Sequence, residues 1–155
     1  RATMSRPELQ LRPAAWADAE QVWRWNDAPD ARRWSLSTAP IPLDTHLRWF
    51  RARLDEPEHR LWIASAGGQD VGVVRIDAAG VVSIALDAAA RGRGLGRSAL
   101  EAACEATAGR RLEAWIATEN VPSRRCFARC GFEFVHEEVR DGRRFARYVR
   151  SPSQI

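Results

Sequence analysis

The chain has 155 residues, 45% hydrophobic and 28% charged, enough for one domain with its own core, and it lacks the long apolar run that a membrane-spanning helix needs. Its net charge of +4 rests on arginine alone, with no lysine, and these arginines are scattered, not striped with aromatics, so neither a nucleic-acid nor a membrane partner is expected. Three cysteines and three histidines share no ligand spacing, so no metal is expected, and an odd thiol count without an apolar leader fits the reducing cytoplasm.

The first residue is Arg1, and residues 1–8 read as an extension before the domain. The domain itself is expected over 9–150, followed by a short tail at 151–155. Leu9 to Arg12 alternates apolar and polar side chains, as a half-buried strand does, and Pro13 ends it. Apolar residues at Trp16, Ala19, Val22 and Trp23 keep helical spacing as far as Asn26. Asp27-Ala28-Pro29-Asp30 breaks that helix, and a short helical turn follows to Trp34. After Pro40-Ile41-Pro42, Asp44 or Thr45 opens a helix carrying Leu47, Phe50 and Leu54 on one face.

Beyond Pro57 the period becomes extended. Leu61–Ala64, Val71–Ile76 and Val81–Leu86 form three successive strands, which predicts an antiparallel meander. Ser98 to Ala108 is alanine-rich and helical, closed by Gly109. Leu112 to Ile116 reads as a strand and Pro122 to Arg129 as a helix ended by Gly131. Phe134–Arg140 and Phe145–Arg150 make a hairpin around Asp141-Gly142, a dipeptide suited to a two-residue turn. The order predicts a mixed α/β domain around a central, mostly antiparallel sheet.

The informative segment joins the strand ending at Leu86 to the next helix: Arg91-Gly92-Arg93-Gly94-Leu95-Gly96-Arg97. Glycines at 92, 94 and 96 bare backbone N–H groups to an anion. The following helix aims its positive N-terminal end at the same place, and Arg91, Arg93 and Arg97 add charge-assisted contacts. A Walker loop fails here, because Gly96-Arg97-Ser98 lacks the lysine and Arg91 stands where the earlier glycine belongs. A dinucleotide loop fails because Arg97 replaces its last glycine.

This pattern resembles the GNAT superfamily of N-acetyltransferases, whose loop runs Arg/Gln-x-x-Gly-x-Gly/Ala; Arg91, Gly94 and Gly96 fill those places. Asn120-Val121-Pro122-Ser123, Phe127 and Cys130-Gly131-Phe132 resemble the family's Asn-x-x-Ser…Gly-Phe segment. The resemblance runs from Leu9 to Val149 and implies acetyl-CoA as co-substrate. It implies that strands 81–86 and 112–116 splay apart and that Ile84, Ala85 and Leu86 pair with the pantetheine arm, as an added strand does. The amides of Arg91 to Gly96, Leu95 included, would hold the diphosphate, with Asn120, Ser123 and Phe127 completing the cofactor site. Asn120 is equally placed to cap the helix that follows it.

Transfer needs a neutral amine, a donor to the oxyanion and a proton for the departing thiolate. Where many family members carry a general-acid tyrosine, this chain has Phe127, and Tyr148 lies on the last strand as a structural residue, so no general acid is assigned. Glu113, Asp87 and His46 are the candidate bases, with Glu113 first because alternate side chains of its strand face the cleft, while Ser83 stands opposite. A base is dispensable if the substrate amine is weakly basic.

Five of the seven tryptophans, at 16, 23, 25, 34 and 49, precede residue 50. Trp23-Arg24-Trp25-Asn26, Arg32-Arg33-Trp34, Ile41 and His46-Leu47-Arg48-Trp49-Phe50 resemble the GNAT branch of pseudaminic acid biosynthesis, which acetylates a UDP-linked 4-amino sugar. Trp25 interrupts that branch's Trp-Arg-Asn pattern. The resemblance implies an acceptor site of Trp25, Asn26, Arg33, Trp34 and His46, in which rings stack on the sugar or uracil and Arg32 or Arg33 meets the diphosphate. Leu112-Glu113-Ala114 also resembles the ribosomal-protein N-terminal alanine acetyltransferases. A non-catalytic acyl-CoA-binding module is the alternative of another class. The oligomeric state is not legible in the sequence.

Overall fold

The computed structural model describes residues 8–152. Most of the expected extension (residues 1–8) and the end of the expected tail (residues 151–155) lie outside the described residues. The chain runs β1 (Leu9–Pro13), a 3-10 turn (Trp16–Asp18), α1 (Ala19–Asp27), α2 (Pro29–Trp34), α3 (Leu43–Leu54) and β2 (Arg60–Ala66). It continues through β3 (Gln69–Ile76), β4 (Val82–Leu86), a second 3-10 turn (Ala88–Ala90) and α4 (Leu95–Ala106). β5 (Leu112–Ala117), α5 (Val121–Arg129), β6 (Glu133–Arg140) and β7 (Arg143–Arg150) complete it.

The expected central sheet is two sheets. β1-β2-β3-β4 form an antiparallel four-stranded sheet, and β5-β7-β6 an antiparallel three-stranded one. Among the described residues, β4 and β5 are joined by a single parallel bridge, Val81 to Glu113, where the Glu113 amide donates to the Gly80 carbonyl at 2.9 Å. Only glycine suits position 80: its φ is +91°, and a Cβ would lie 2.6 Å from the Arg111 carbonyl oxygen. Past that bridge the side of β4 facing β5 gains no strand partner, so the two strands diverge towards Leu86 and Ala117. The splay thus has a local cause at its closed end.

Two apolar clusters sit on opposite faces. Val74, Ile76, Val82, Leu112, Ala114 and Ile116 pack with Leu95, Ala99, Leu100 and Ala103 of α4. Val22 and Trp25 of α1, Phe50 of α3, Leu61, Ile63 and Val73 form the second cluster. Because side chains alternate along a strand, Ser83 and Ala85 of β4 share the α1–α3 face with Val73 and Arg75.

Several helix boundaries differ from the sequence reading, those of the first helix and of α4 the most. The first helix begins as a 3-10 turn because the Asp18 carboxylate accepts the Ala15 amide at 2.8 Å and is held by Arg12 at 2.9 Å. Helix α4 starts at Leu95, not Ser98, since Gly94 turns the chain with φ +73° and its carbonyl accepts the Ser98 amide at 3.2 Å. It ends at Ala106, where the Thr107 hydroxyl donates to the Ala103 carbonyl at 2.7 Å, so Gly109 is not its terminator. The final hairpin turns as expected, with φ of 49° at Asp141 and 74° at Gly142.

The three cysteines are free thiols. Among the described residues no helix is long and apolar enough to cross a membrane.

Candidate active site

The open end of the splay is framed by three elements. On one side β4 runs into Asp87, whose Oδ2 accepts the Trp25 indole N–H at 3.1 Å and whose Oδ1 accepts the Ala89 amide at 2.9 Å. Those bonds, the indole first, hold its carboxyl below the usual carboxylate range, which makes Asp87 an anchor and a poor base. The exposed turn Arg91–Gly94 follows, with φ +77° at Gly92 and +73° at Gly94. Positive φ at both glycines orients successive amides outward, and the α4 N-terminus adds its own. Gly96 and Arg97 belong to the first turn of α4, whose amides lack partners within the helix and face the same side as the turn. A Cβ at Gly96 would approach Leu86 Cδ1 to 3.3 Å; the missing side chain lets the helix start against the strand end. Arg97 pairs with Glu101 at 2.9 Å, while Arg93 makes no ion pair among the described residues. Bare amides, a helix terminus and an unpaired arginine are the donor set a diphosphate requires.

On the other side, β5 ends at Ala117, and the Asn120 side chain caps α5 by accepting the Ser123 amide at 3.4 Å. Phe127 is 6% exposed and packs edge-on against Phe132 with ring centroids 5.0 Å apart. Its ring belongs to the core, which corrects its assignment to the cofactor surface and accounts for a ring without a hydroxyl there. Tyr148 is buried, and its hydroxyl accepts from Arg124 Nε at 2.9 Å, a structural bond.

Helix α2 is tied at both ends. Arg91 forms an ion pair with Asp30 at the start of α2. At the far end Arg143, the first residue of β7, donates to the carbonyls of Ser35, at 2.6 Å, and Arg33. Neither tie was legible in the sequence, because the partners are 61 and 108–110 residues apart.

Several expected acceptor and catalytic residues are placed otherwise. His46 is 3% exposed; its Nε2 lies 2.8 Å from the Ala19 carbonyl oxygen and its ring packs on Trp49 and Phe50. Burial lowers its pKa, and it ties α3 to α1, neither base nor substrate ligand. Glu113 receives two bonds from Arg147, at 2.6 and 2.9 Å, and stands at the closed end of the splay, so it is a sheet ion pair and not the base. Trp25 is 4% exposed under Asp87, unable to stack on a sugar. Arg32 is spent on the carbonyls of Asn26 and Ser37 and on the Ser35 hydroxyl, so it does not meet a diphosphate. Asn26 remains half-buried beside α2, and the exposed Arg33 lies over the Trp34 ring, 4.5 Å from its centre.

The family model of the acetyltransferase (GNAT) domain matches residues 8–133. No curated protein sequence matches. The chain is similar in structure to a candidate phosphinothricin N-acetyltransferase, at 25% identity and TM-score 0.80, covering 94% of this chain and 99% of that one. A spermidine N-acetyltransferase from Vibrio cholerae, in complex with CoA and spermine, gives TM-score 0.84 at 14% identity, covering 94% and 96%. A ribosomal L7/L12 alpha-N-protein acetyltransferase with coenzyme A gives 0.78 at 16%, covering 93% and 94%. With the family model spanning most of the domain and the cradle and splay in place, the chain belongs to the GNAT acetyltransferases and is an acetyl-CoA-dependent N-acetyltransferase.

Proposed function

We propose that this enzyme acetylates the primary amine of a nucleotide-linked aminosugar by direct attack on acetyl-CoA. The observation that carries the reading is α2, pinned between the cofactor turn by Arg91–Asp30 and the β6–β7 hairpin by Arg143. Arg33 and Trp34, an exposed cation over an aromatic face, sit on this helix tied to the cofactor turn. An aromatic–arginine pair suits a sugar or uracil ring joined to a diphosphate.

In this reading the cradle at Arg91–Gly96 holds the diphosphate of acetyl-CoA, and Ile84 to Leu86 pair with its pantetheine arm beside the Asn120 cap. The amine lone pair attacks the thioester carbon, the oxyanion collapses, and the C–S bond breaks. The thiolate leaves without a side-chain acid, and the amine proton passes to water. With Glu113, His46 and Asp87 all committed to structural partners, the acceptor has to arrive as the neutral amine.

The N-terminus of a ribosomal protein is the alternative acceptor, supported by the fold likeness to a ribosomal alpha-N-protein acetyltransferase. The test is an acceptor panel with acetyl-CoA, read as release of free thiol. Turnover of a UDP-linked 4-amino sugar supports the proposal, and turnover confined to alanine-initiated peptides overturns it.

A further inference from the structure

One arginine on the acceptor side of the sheet has no part in the reaction described above. Arg75 of β3 stands opposite Ser83 of β4 in register. Its Nη2 donates to Ser83 Oγ at 3.1 Å, and its guanidinium carbon lies 5.0 Å from the centre of the Trp49 ring. Protein encloses most of the side chain, yet solvent still reaches it. A guanidinium carries five N–H donors, and one hydroxyl leaves most of them to find another acceptor.

The surroundings do not neutralise it. Among the described residues no carboxylate forms an ion pair with Arg75. Asp77 is near enough to act on it, but its Oδ1 accepts the amides of Ala79 and Val81 at 3.0 and 2.9 Å. Glu56 pairs with Arg53 and lies 3.7 Å from His59 Nδ1. Arg53 and Arg32 add like charge, so that burial, helped by these two cations, pushes the basicity of Arg75 down. Arg53 Nε and both ring nitrogens of His59 are buried without a hydrogen-bond partner. Isolating a cation in this way is costly unless an anion completes the site.

We propose that Arg75 and Ser83 form an anion subsite that takes a carboxylate or phosphate oxygen carried by the acceptor near its reacting amine. Ser83 precedes Ile84, where the proposed function puts the pantetheine arm, so the subsite rests on that reading for its distance from the chemistry. It adds to that reading an oxyanion close to the amine, separate from the diphosphate that the reading gives to Arg33 and Trp34.

The experiment compares matched acceptors at saturating acetyl-CoA: an α-amino acid against its amide, and an aminosugar phosphate against the free aminosugar. The wild type should favour the anionic member of one pair in kcat/KM by about thirtyfold, the worth of a charge-assisted contact. Which pair shows the preference identifies the oxyanion. Arg75→Gln should cut it to about threefold or less and Arg75→Lys should restore part of it, with the acetyl-CoA Kd unchanged. A purely structural arginine would leave the anionic-to-neutral ratio as it was, and that result overturns the proposal.

Should Arg75→Gln fail to fold, inorganic phosphate and acetate titrated into acetyl-CoA-loaded wild-type protein decide the matter. Binding that Ser83→Ala weakens supports the subsite, and no binding of either anion at millimolar concentration rejects it. If no amine in the panel turns over, the acceptor reading fails, and the same titration still judges the subsite alone.

Discussion

The indole nitrogen of Trp25 donates to the Asp87 carboxylate at 3.1 Å, fastening the middle of the first helical layer to the residue that leads from β4 into the glycine turn. Trp25 contributes to the fold twice, through a ring buried with Val22 and Phe50 and through this bond. Trp25→Phe keeps most of the ring and deletes the donor. A loss of about 1–2 kcal/mol is expected, a fall in Tm of roughly 3–6 °C for a domain of this size. Thermal unfolding checks it, and an unchanged Tm would mean the tie contributes nothing.

Gly94 carries the second prediction. Its φ of +73° is a conformation that side chains resist, and in the proposed function the turn it makes receives the coenzyme diphosphate. Gly94→Asp adds strain and a like charge at the anion site. The acetyl-CoA Kd should rise about 100-fold or more, equivalent to about 2.7 kcal/mol, while the circular dichroism spectrum is preserved. Calorimetry showing wild-type affinity would remove the cradle from the account.

Glu113 separates a base from a sheet ion pair. Removing a general base costs about 10²–10⁴ in rate, whereas Glu113→Gln here should lower kcat/KM less than about fivefold and leave the pH–rate profile in place. Its cost should appear in stability instead, at about 1 kcal/mol, because Arg147 loses its carboxylate partner at a site one-fifth exposed. A thousandfold loss of rate with unchanged Tm would restore Glu113 to the chemistry.

His46 predicts a pH dependence. Burial holds its folded pKa below the ordinary value of 6.5, so between those two values the unfolded chain binds a proton that the folded chain does not. Stability from neutral His46 is therefore complete above pH 6.5 and is lost as pH falls towards the folded pKa. His59, lowered chiefly by burial, acts in the same direction. Denaturant midpoints measured from neutral pH to pH 5 should decline, and His46→Phe should flatten the curve. A wild-type midpoint constant across that range would contradict a buried neutral ring.

Near-neighbour physics made much of the protein legible in the sequence. Alternation marked the first strand, helical spacing marked α1 and α3, Gly131 marked the end of α5, and Asp141-Gly142 marked a hairpin whose two positive φ angles the structure bears out. The glycine turn was legible because its chemistry lies within a few consecutive residues. The strand ends, the α4 boundaries and the single bridge at Glu113 were less so, since each depends on a partner outside the local window.

By itself, then, the sequence determined the order of elements, the acetyltransferase family and the position of the glycine turn, because backbone torsions and short-range periodicity are properties of adjacent residues. Tertiary structure alone decided what the polar side chains do. Glu113 and His46 have ordinary catalytic chemistry but are consumed by Arg147 and by the α1 backbone, and Trp25 is an aromatic ring that packing turned inward. Helix α2 likewise takes its place only because Asp30 and Arg143 reach groups far along the chain. Folding brings such partners together through the burial of two cores, and no local pattern records which side chain will find which.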